Sequence, residues 1–262
     1  YSVSFIRNKI SFIKNEMLSD SEIDKYLVSP PEKIAIKVYR EYENILRRNN
    51  AVDFDDLLKR PVELLMNNED ILDKYQEKYR YILIDEYQDT NEVQYKLVKL
   101  LASKYRNLFV VGDVNQSIYG FRWSNYKNIM NFESDYPEAV SITLNQNYRS
   151  TNTILNAANS VIKNNLERKE VNLFSTFGDG VKIKYLRGND EKDEIKLVID
   201  EIKEMLNNGY TYNDFAILYR TNSQSRNVED GILKMNWPYR VVGSHYFYKR
   251  NKRFVMLLKA YF

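Results

Sequence analysis

Four apolar residues, Tyr81 to Ile84, follow one another without polar alternation, and two carboxylates, Asp85 and Glu86, close the run. Such a stretch predicts a short strand buried on both faces of a parallel sheet. Leu108–Val111 repeats the pattern and ends at Gly112-Asp113; Val140–Leu144 reads as a third strand. Between them, helices are expected from about Asn91 to Tyr105 and near Asn125–Asp135. Asp89-Thr90-Asn91-Glu92 has the composition of a capping box for the first of these.

Upstream the period is helical. Ile34, Val38, Tyr42, Ile45 and Leu46 share one face, and Pro31, after Ser29 and Pro30, suits a first helical position. Asp53–Asn67 is again helical, with Pro61 as a kink or break. Downstream, Ser150 is placed to cap a helix reaching about Asn164, and Leu166–Gly180 is a polar loop. Val181–Leu186 alternates like a strand, and Asp190–Leu206 is an amphipathic helix. Phe215–Tyr219 reads as a buried strand, Ser223–Met235 as a helix, Tyr239–Val242 as a short strand, and Phe254–Phe262 as helical. The βαβ rhythm predicts an α/β protein with parallel sheets flanked by helices.

Composition narrows the class. The chain has 262 residues, 44% hydrophobic and 29% charged, as in a soluble globular protein of one or two domains. No apolar run reaches membrane-spanning length, so no membrane partner is expected. No cysteine is present, which removes disulfides and thiolate metal sites and makes the cytoplasm the default compartment. Net charge is only +3. From Gly231 onward, however, Lys234, Arg240, Lys249, Arg250, Lys252, Arg253 and Lys259 occur without a single Asp or Glu. That run is either a solvated face or a phosphate-contacting surface. The chain begins at Tyr1 without methionine or signal peptide, and both ends read as cuts in a longer protein.

Candidate chemistry gathers at the strand ends, where open α/β sheets bind ligands. Asp85 and Glu86 are either an acidic loop opening a helix or the Walker-B arrangement. In the second case one carboxylate holds Mg²⁺ and the other activates water for phosphoryl transfer. Gln116, after the second strand, is an uncharged donor and acceptor suited to sensing a terminal phosphate. Tyr119, Phe121 and Trp123 recur at every second position. They form a core strand or, in an extended segment with Arg122 pointing the other way, a platform for stacking bases. Arg149, after the third strand, is placed like an arginine finger, and Tyr148 beside it could stack on a nucleotide base. His245, the single histidine, has no partner pattern and reads as structural or exposed.

Three stretches together resemble motifs II, III and IV of the UvrD/Rep/PcrA-type superfamily 1 DNA helicases. They are Asp85-Glu86-Tyr87-Gln88-Asp89-Thr90-Asn91, Gly112-Asp113 through Gln116-Ser117-Ile118-Tyr119, and Asn147-Tyr148-Arg149-Ser150. Asp53-Phe54-Asp55-Asp56-Leu57-Leu58, Leu218 through Arg226, and Pro238-Tyr239-Arg240-Val241-Val242-Gly243 extend the likeness from about residue 51 to about 250. The resemblance implies that Asp85 holds Mg²⁺ and Glu86 is the base that activates water. It implies that Gln116 and Arg149 contact the γ-phosphate of ATP and that Tyr148 stacks on adenine. Phe54, Tyr119 and Phe121 would touch DNA bases, and Arg122, Arg220 and Asn222 would lie on the DNA track. Phe121 stands where the family often has Trp, Trp123 where many members have Gly, Asn115 for a frequent Asp, and Gly243-Ser244 for a Gly-Gly pair.

The implied fold is that of P-loop NTPases: two partial RecA-like domains plus helical insertion segments. Residues 1–50 would end insertion 1B, 51–142 form the rear of domain 1A, 143–237 the front of domain 2A, and 238–262 open insertion 2B. The implied activity is ATP-driven 3′→5′ translocation on single-stranded DNA with unwinding of duplex DNA, in repair or replication. Alternatives are the motor of an AddA/RecB-like helicase–nuclease and a nucleic-acid-binding module without ATPase activity. None of the eight glycines precedes a lysine, so the phosphate-cradling Gly-Lys loop lies outside these residues. The 262 residues alone are therefore expected not to turn over ATP.

Overall fold

A computed structural model of the chain describes residues 2–169, 171–242 and 256–259. The chain divides into two compact units, one of residues up to Leu144 with Ile162–Asn172, the other of Asn145–Val161 with the described residues from Leu173 onward.

The first unit opens with helices α1 (Val3–Asn15), α2 (Asp20–Tyr26) and α3 (Pro30–Arg48). Ser19 and Ser29 close capping boxes with Glu22 and Glu32, and Pro30 and Pro31 occupy the first helical positions, where no N–H is needed. Ile13, Ile23, Leu27, Ile36 and Tyr39 bury one another where these helices meet. Helix α4 (Asp56–Asn67) runs through Pro61 unbroken. The missing N–H forfeits one bond in the helix, while Val62 and Leu65, both buried, anchor the turns around it. Helix α5 (Glu69–Lys78) leads to the sheet.

Strands β1 (Ile82–Ile84) and β2 (Leu108–Val110) pair in parallel, Ile82 opposite Leu108 and Ile84 opposite Val110. Helix α6 (Glu92–Ala102) forms the crossover. Its cap is Asn91, which forms a capping box with Gln94; Asp89 lies instead in a 3₁₀ turn, Tyr87–Asp89. The strands are not buried on both faces. Leu83 is 74% exposed and Phe109 60%, since a two-stranded sheet is covered here on one side only. Short helices α7 (Lys127–Met130) and α8 (Phe132–Asp135) follow.

Two expected strands do not form. Val140, Ile142 and Leu144 are all exposed, as are Val181, Ile183 and Tyr185, and neither segment has strand hydrogen bonding. Apolar alternation makes a strand only where a neighbouring edge supplies the ladder.

In the second unit, α9 (Asn152–Ile162) starts one residue later than expected, with the Thr151 carbonyl accepting from the Leu155 amide. Helix α10 (Glu191–Asn207) is capped by Asp190, and α11 (Asn222–Lys234) by a Thr221–Gln224 capping box. A Cβ on Gly231 would lie 2.5 Å from the Ile195 side chain, so glycine there lets α11 close onto α10. Strands β3 (Ala216–Tyr219), β4 (Arg240–Val241) and β5 (Met256–Lys259) form a parallel sheet with β5 in the middle. Leu218 on β3 is 56% exposed, so this strand too is covered on one side. Met256–Lys259 is thus strand where a helix was expected. A short apolar run does not declare its period, and here two strand edges claim it. Tyr219, Val228, Ile232 and Val241 make the core beneath. Gly243-Ser244, His245 and the basic residues Lys249, Arg250, Lys252 and Arg253 lie outside the described residues. Among the described residues no helix is long and apolar enough to cross a membrane.

Candidate nucleotide and nucleic-acid site

The β1 carboxyl end carries Asp85 and Glu86, both exposed. Glu86 holds a left-handed backbone conformation (φ 52°, ψ 43°), uncommon for a residue with a side chain. Its amide donates to Asp85 Oδ1 at 3.0 Å. The following turn is anchored to β2, Tyr87 N–H donating to the Val111 carbonyl at 2.9 Å and Val111 N–H to that of Ile84 at 2.8 Å. Tyr87 is fully buried, edge-on to Phe132. The chain therefore leaves the sheet in a fixed direction with both carboxylates facing outward.

Gln88, next along, is buried. Its Nε2 donates to Glu86 Oε2 at 2.7 Å, and its Oε1 accepts from the Asp113 amide at 3.0 Å. Asp113 Oδ2 in turn accepts from Gln116 Nε2 at 2.9 Å. Gly112 makes this approach possible, because a Cβ there would stand 2.5 Å from Gln88 Oε1 and 2.8 Å from Ile129 Cδ1. Ser117 Oγ donates to the Gln88 carbonyl at 3.3 Å. Burial raises the pKa of Asp89, as does the charge of Glu86; the Ile118 and Tyr119 amides, aimed at its carboxylate, offset part of this.

The aromatic segment is a turn rather than an extended strand. Gly120–Arg122 is a 3₁₀ turn, and Trp123 is left-handed (φ 67°). Tyr119 and Phe121 still face each other, 5.9 Å between ring centres. Arg122 does not point away from them: its guanidinium lies 5.4 Å from the Tyr119 ring and 5.5 Å from that of Phe121. Phe121 is exposed. Trp123 leaves the row and packs on Phe12 of α1 at 5.0 Å, its Nε1 donating to Ser11 Oγ at 3.3 Å. Its backbone takes up the left-handed conformation that glycine adopts most freely.

Phe54 is 90% exposed on a turn held by its neighbours. Asp53 and Asp56 accept reciprocally from each other's amides at 2.9 and 3.3 Å. Lys14, with no exposed surface, lies 2.7 Å from Glu43, 2.8 Å from Asp53 and 3.0 Å from Asp56. Burial alone would lower its pKa, but these three carboxylates raise it strongly. Asn15 Nδ2 donates to Asp55 at 2.9 Å, and Asn15 Oδ1 accepts from Asn91 at 2.7 Å. The sequence carries no signal of these roles for Lys14 and Asn15, because their partners Asp53, Asp55 and Asn91 lie 39 to 76 residues along the chain.

In the second unit, Tyr148 and Arg149 are exposed, and Asn147 Oδ1 accepts from the amides of Arg149 and Ser150. Arg220 and Asn222 are exposed at the β3–α11 junction, where Gln224 Oε1 accepts from the Arg220 amide at 2.9 Å. The first unit thus gathers Asp85, Glu86, Gln116, Tyr119, Phe121 and Arg122 at one sheet end; the second holds Tyr148, Arg149, Arg220 and Asn222.

Mg²⁺ takes one or two carboxylates and keeps water or phosphate for its remaining positions. Asp85 and Glu86, exposed and without ion pairs among the described residues, fit that donor set. No group of three or more potential metal-ligating side chains occurs among the described residues, as a dedicated protein cage would require.

Comparison with known proteins gives the same picture along the chain. The UvrD/REP helicase N-terminal domain matches residues 3–137, and the UvrD-like helicase C-terminal domain matches residues 142–260. The ATP-dependent DNA helicase PcrA of Staphylococcus aureus is 50% identical over 243 residues, 93% of this chain and 33% of the relative. That of Leuconostoc citreum is 44% identical over 253 residues, 96% and 34% respectively. The chain spans about a third of the length of these relatives. With both halves matched in order, and with the strand-end carboxylates and the aromatic turn built on one sheet edge, the chain belongs to the UvrD-like helicase family.

Proposed function

We propose that the chain is the central part of a cytoplasmic ATP-dependent DNA helicase that moves 3′→5′ on single-stranded DNA and unwinds duplex DNA. Residues 51–142 and 143–237 belong to two RecA-like domains, and 1–50 and 238–262 to helical insertions. The observation that carries this reading is the hydrogen-bonded continuity within the first unit. Glu86, Gln88, Asp113 and Gln116 are joined side to side, directly before the turn bearing Tyr119, Phe121 and Arg122. Nucleotide chemistry and base stacking then share one hydrogen-bonded edge, as a motor requires.

In this reading Asp85 holds Mg²⁺ and Glu86 takes the proton of the attacking water. Gln116 and Arg149 contact the γ-phosphate, and Tyr148 stacks on adenine. Bound Mg²⁺ neutralises charge on the β- and γ-phosphates during transfer. Phe54, Tyr119 and Phe121 stack on bases, which offer a π-face whatever the sequence; Arg122, Arg220 and Asn222 follow the strand. The names of the relatives, ATP-dependent DNA helicases, support the same assignment. The test is phosphate release and unwinding of a 3′-tailed duplex by the full-length protein. Glu86→Gln is expected to retain ATP binding and lose nearly all turnover. Wild-type hydrolysis by that variant would place the base elsewhere.

A further inference from the structure

Gln88 has a geometry that neither a solvent-facing loop glutamine nor a simple core residue needs. It is 1% exposed, yet every polar atom of its side chain is engaged with a segment of proposed function. The donor end reaches the proposed water-activating carboxylate, Glu86 Oε2, at 2.7 Å. The acceptor end takes the amide of Asp113, whose carboxylate holds Gln116. The backbone on either side is tied to the same segment. Ser117 Oγ donates to the Gln88 carbonyl, and the amides of Ile118 and Tyr119 face the carboxylate of Asp89. The strands themselves cannot slide, because β1 and β2 are in fixed register and Tyr87 is bonded to Val111. The turn that carries Tyr119, Phe121 and Arg122 is attached to the β1 end through Gln88 and Asp89 where it begins, and through the Asn125 amide on the Thr90 carbonyl at 2.9 Å where it ends.

We propose that Gln88 is a positioning residue that couples occupancy of the aromatic turn to the orientation of Glu86. Resting on the proposed ATPase and DNA-binding roles, it adds the physical link between them. When a base stacks on Tyr119 and Phe121, the turn shifts. Asp113 and Ser117 carry the shift to the amide and carbonyl of Gln88, and its Nε2 re-aims the Glu86 carboxylate toward water. Glu86 is susceptible to such steering. Its backbone is already in the left-handed region, and its side chain is exposed except for this one bond. Gln88 touches neither water nor phosphate in this scheme; it acts through Glu86.

The experiment compares wild type, Gln88→Met and Gln88→Glu in the full-length protein. Gln88→Met keeps the length and volume and removes both hydrogen bonds. Gln88→Glu keeps an acceptor for the Asp113 amide and removes the donor to Glu86, so it serves as the second reading if the first variant does not fold. Phosphate release is measured with and without oligo(dT), and oligo(dT) affinity by fluorescence anisotropy. Both variants are expected to lose about ten-fold or more of the ratio of DNA-stimulated to DNA-free kcat, a size typical of coupling between sites. The KM for ATP and the oligo(dT) affinity should stay within about two-fold, a split that a general loss of structure would not produce. An undiminished ratio in either variant that binds oligo(dT) normally overturns the inference. A wild-type enzyme that oligo(dT) does not stimulate overturns the proposed function itself, and that result is read from the wild-type arm alone.

Discussion

Lys14→Met tests the buried cluster beneath the Phe54 turn. The substitution keeps an unbranched side chain of similar length and removes the buried cation that Glu43, Asp53 and Asp56 share. Their side chains are 11%, 20% and 1% exposed, so the charges left behind are poorly solvated. Removing one partner of a buried ion pair costs about 3–5 kcal/mol. Two of the three carboxylates keep other partners. Glu43 has Arg60 at 2.7 Å, and Asp53 has the Tyr42 hydroxyl at 3.0 Å and the Asp56 amide. Asp56 keeps the Asp53 amide at 3.3 Å and the guanidinium of Arg60 at 3.5 Å. The lower end of the range therefore applies, about 3 kcal/mol. With a urea m-value of about 2 kcal/mol/M for a unit of this size, the midpoint should fall by about 1.5 M. The assay is urea unfolding followed by tryptophan fluorescence in a Trp237→Phe background, where Trp123, packed on α1, reports the first unit alone. Adding Asp56→Asn removes the most deeply buried charge and should restore part of the loss. In acid the deficit should shrink. Burial works to raise the pKa of Asp53, but Lys14, the Asp56 amide and Tyr42 bring it below its ordinary 3.8, so its stabilisation is present above that value and disappears as pH falls through the lowered one. The raised pKa of Lys14 keeps its own contribution intact up to 10.5, and only stronger alkali removes it. An unchanged midpoint in Lys14→Met, or no recovery on adding Asp56→Asn, would refute this account.

Gly112→Ala should lower the melting temperature of the first unit by about 3–9 °C, the cost of overpacking spread over a unit of this size. The added methyl group meets the Gln88 carboxamide and Ile129, and an unchanged melting curve would show that they yield freely. Replacing Tyr119 and Phe121 together by alanine in the full-length protein should weaken single-stranded DNA binding by about ten-fold or more, since each stacked base contributes about 1–3 kcal/mol. Equal affinity for oligo(dT) in anisotropy titrations would remove the stacking platform from the site.

Two helices were legible from their caps. Asp190 opens α10 within a residue of its expected start, and Ser29 with Pro30 and Pro31 opens α3. Strands were legible only where a partner exists. Leu108–Val110 finds β1, whereas Val140–Leu144, which alternates apolar and polar residues, finds no edge and stays irregular. The alternation of Tyr119, Phe121 and Trp123 suggested an extended row. A 3₁₀ turn at Gly120 keeps the first two rings together but folds Arg122 over them and sends Trp123 to α1, and no two-residue period encodes that. The carboxylates of the candidate site could be read from the sequence because a strand end fixes where they lie. Gln88, Lys14 and Asn15 could not, because their partners are distant in sequence and only folding brings them near.

The last turns of α1 also constrain how this sequence can drift. Ser11 and Phe12 hold Trp123, Lys14 holds Asp53 and Asp56, and Asn15 holds Asp55 and Asn91. Four positions on five residues of one helix thus answer to three separate stretches of chain. A helix advances about 100° per residue, so a single insertion between residues 11 and 15 would turn these side chains out of register with one another and break part of this set at once. Among descendants of this chain, positions 11, 12, 14 and 15 should change only in concert with 53, 55, 56, 91 and 123, and a length change in α1 should be tolerated only on its far side, toward residue 3.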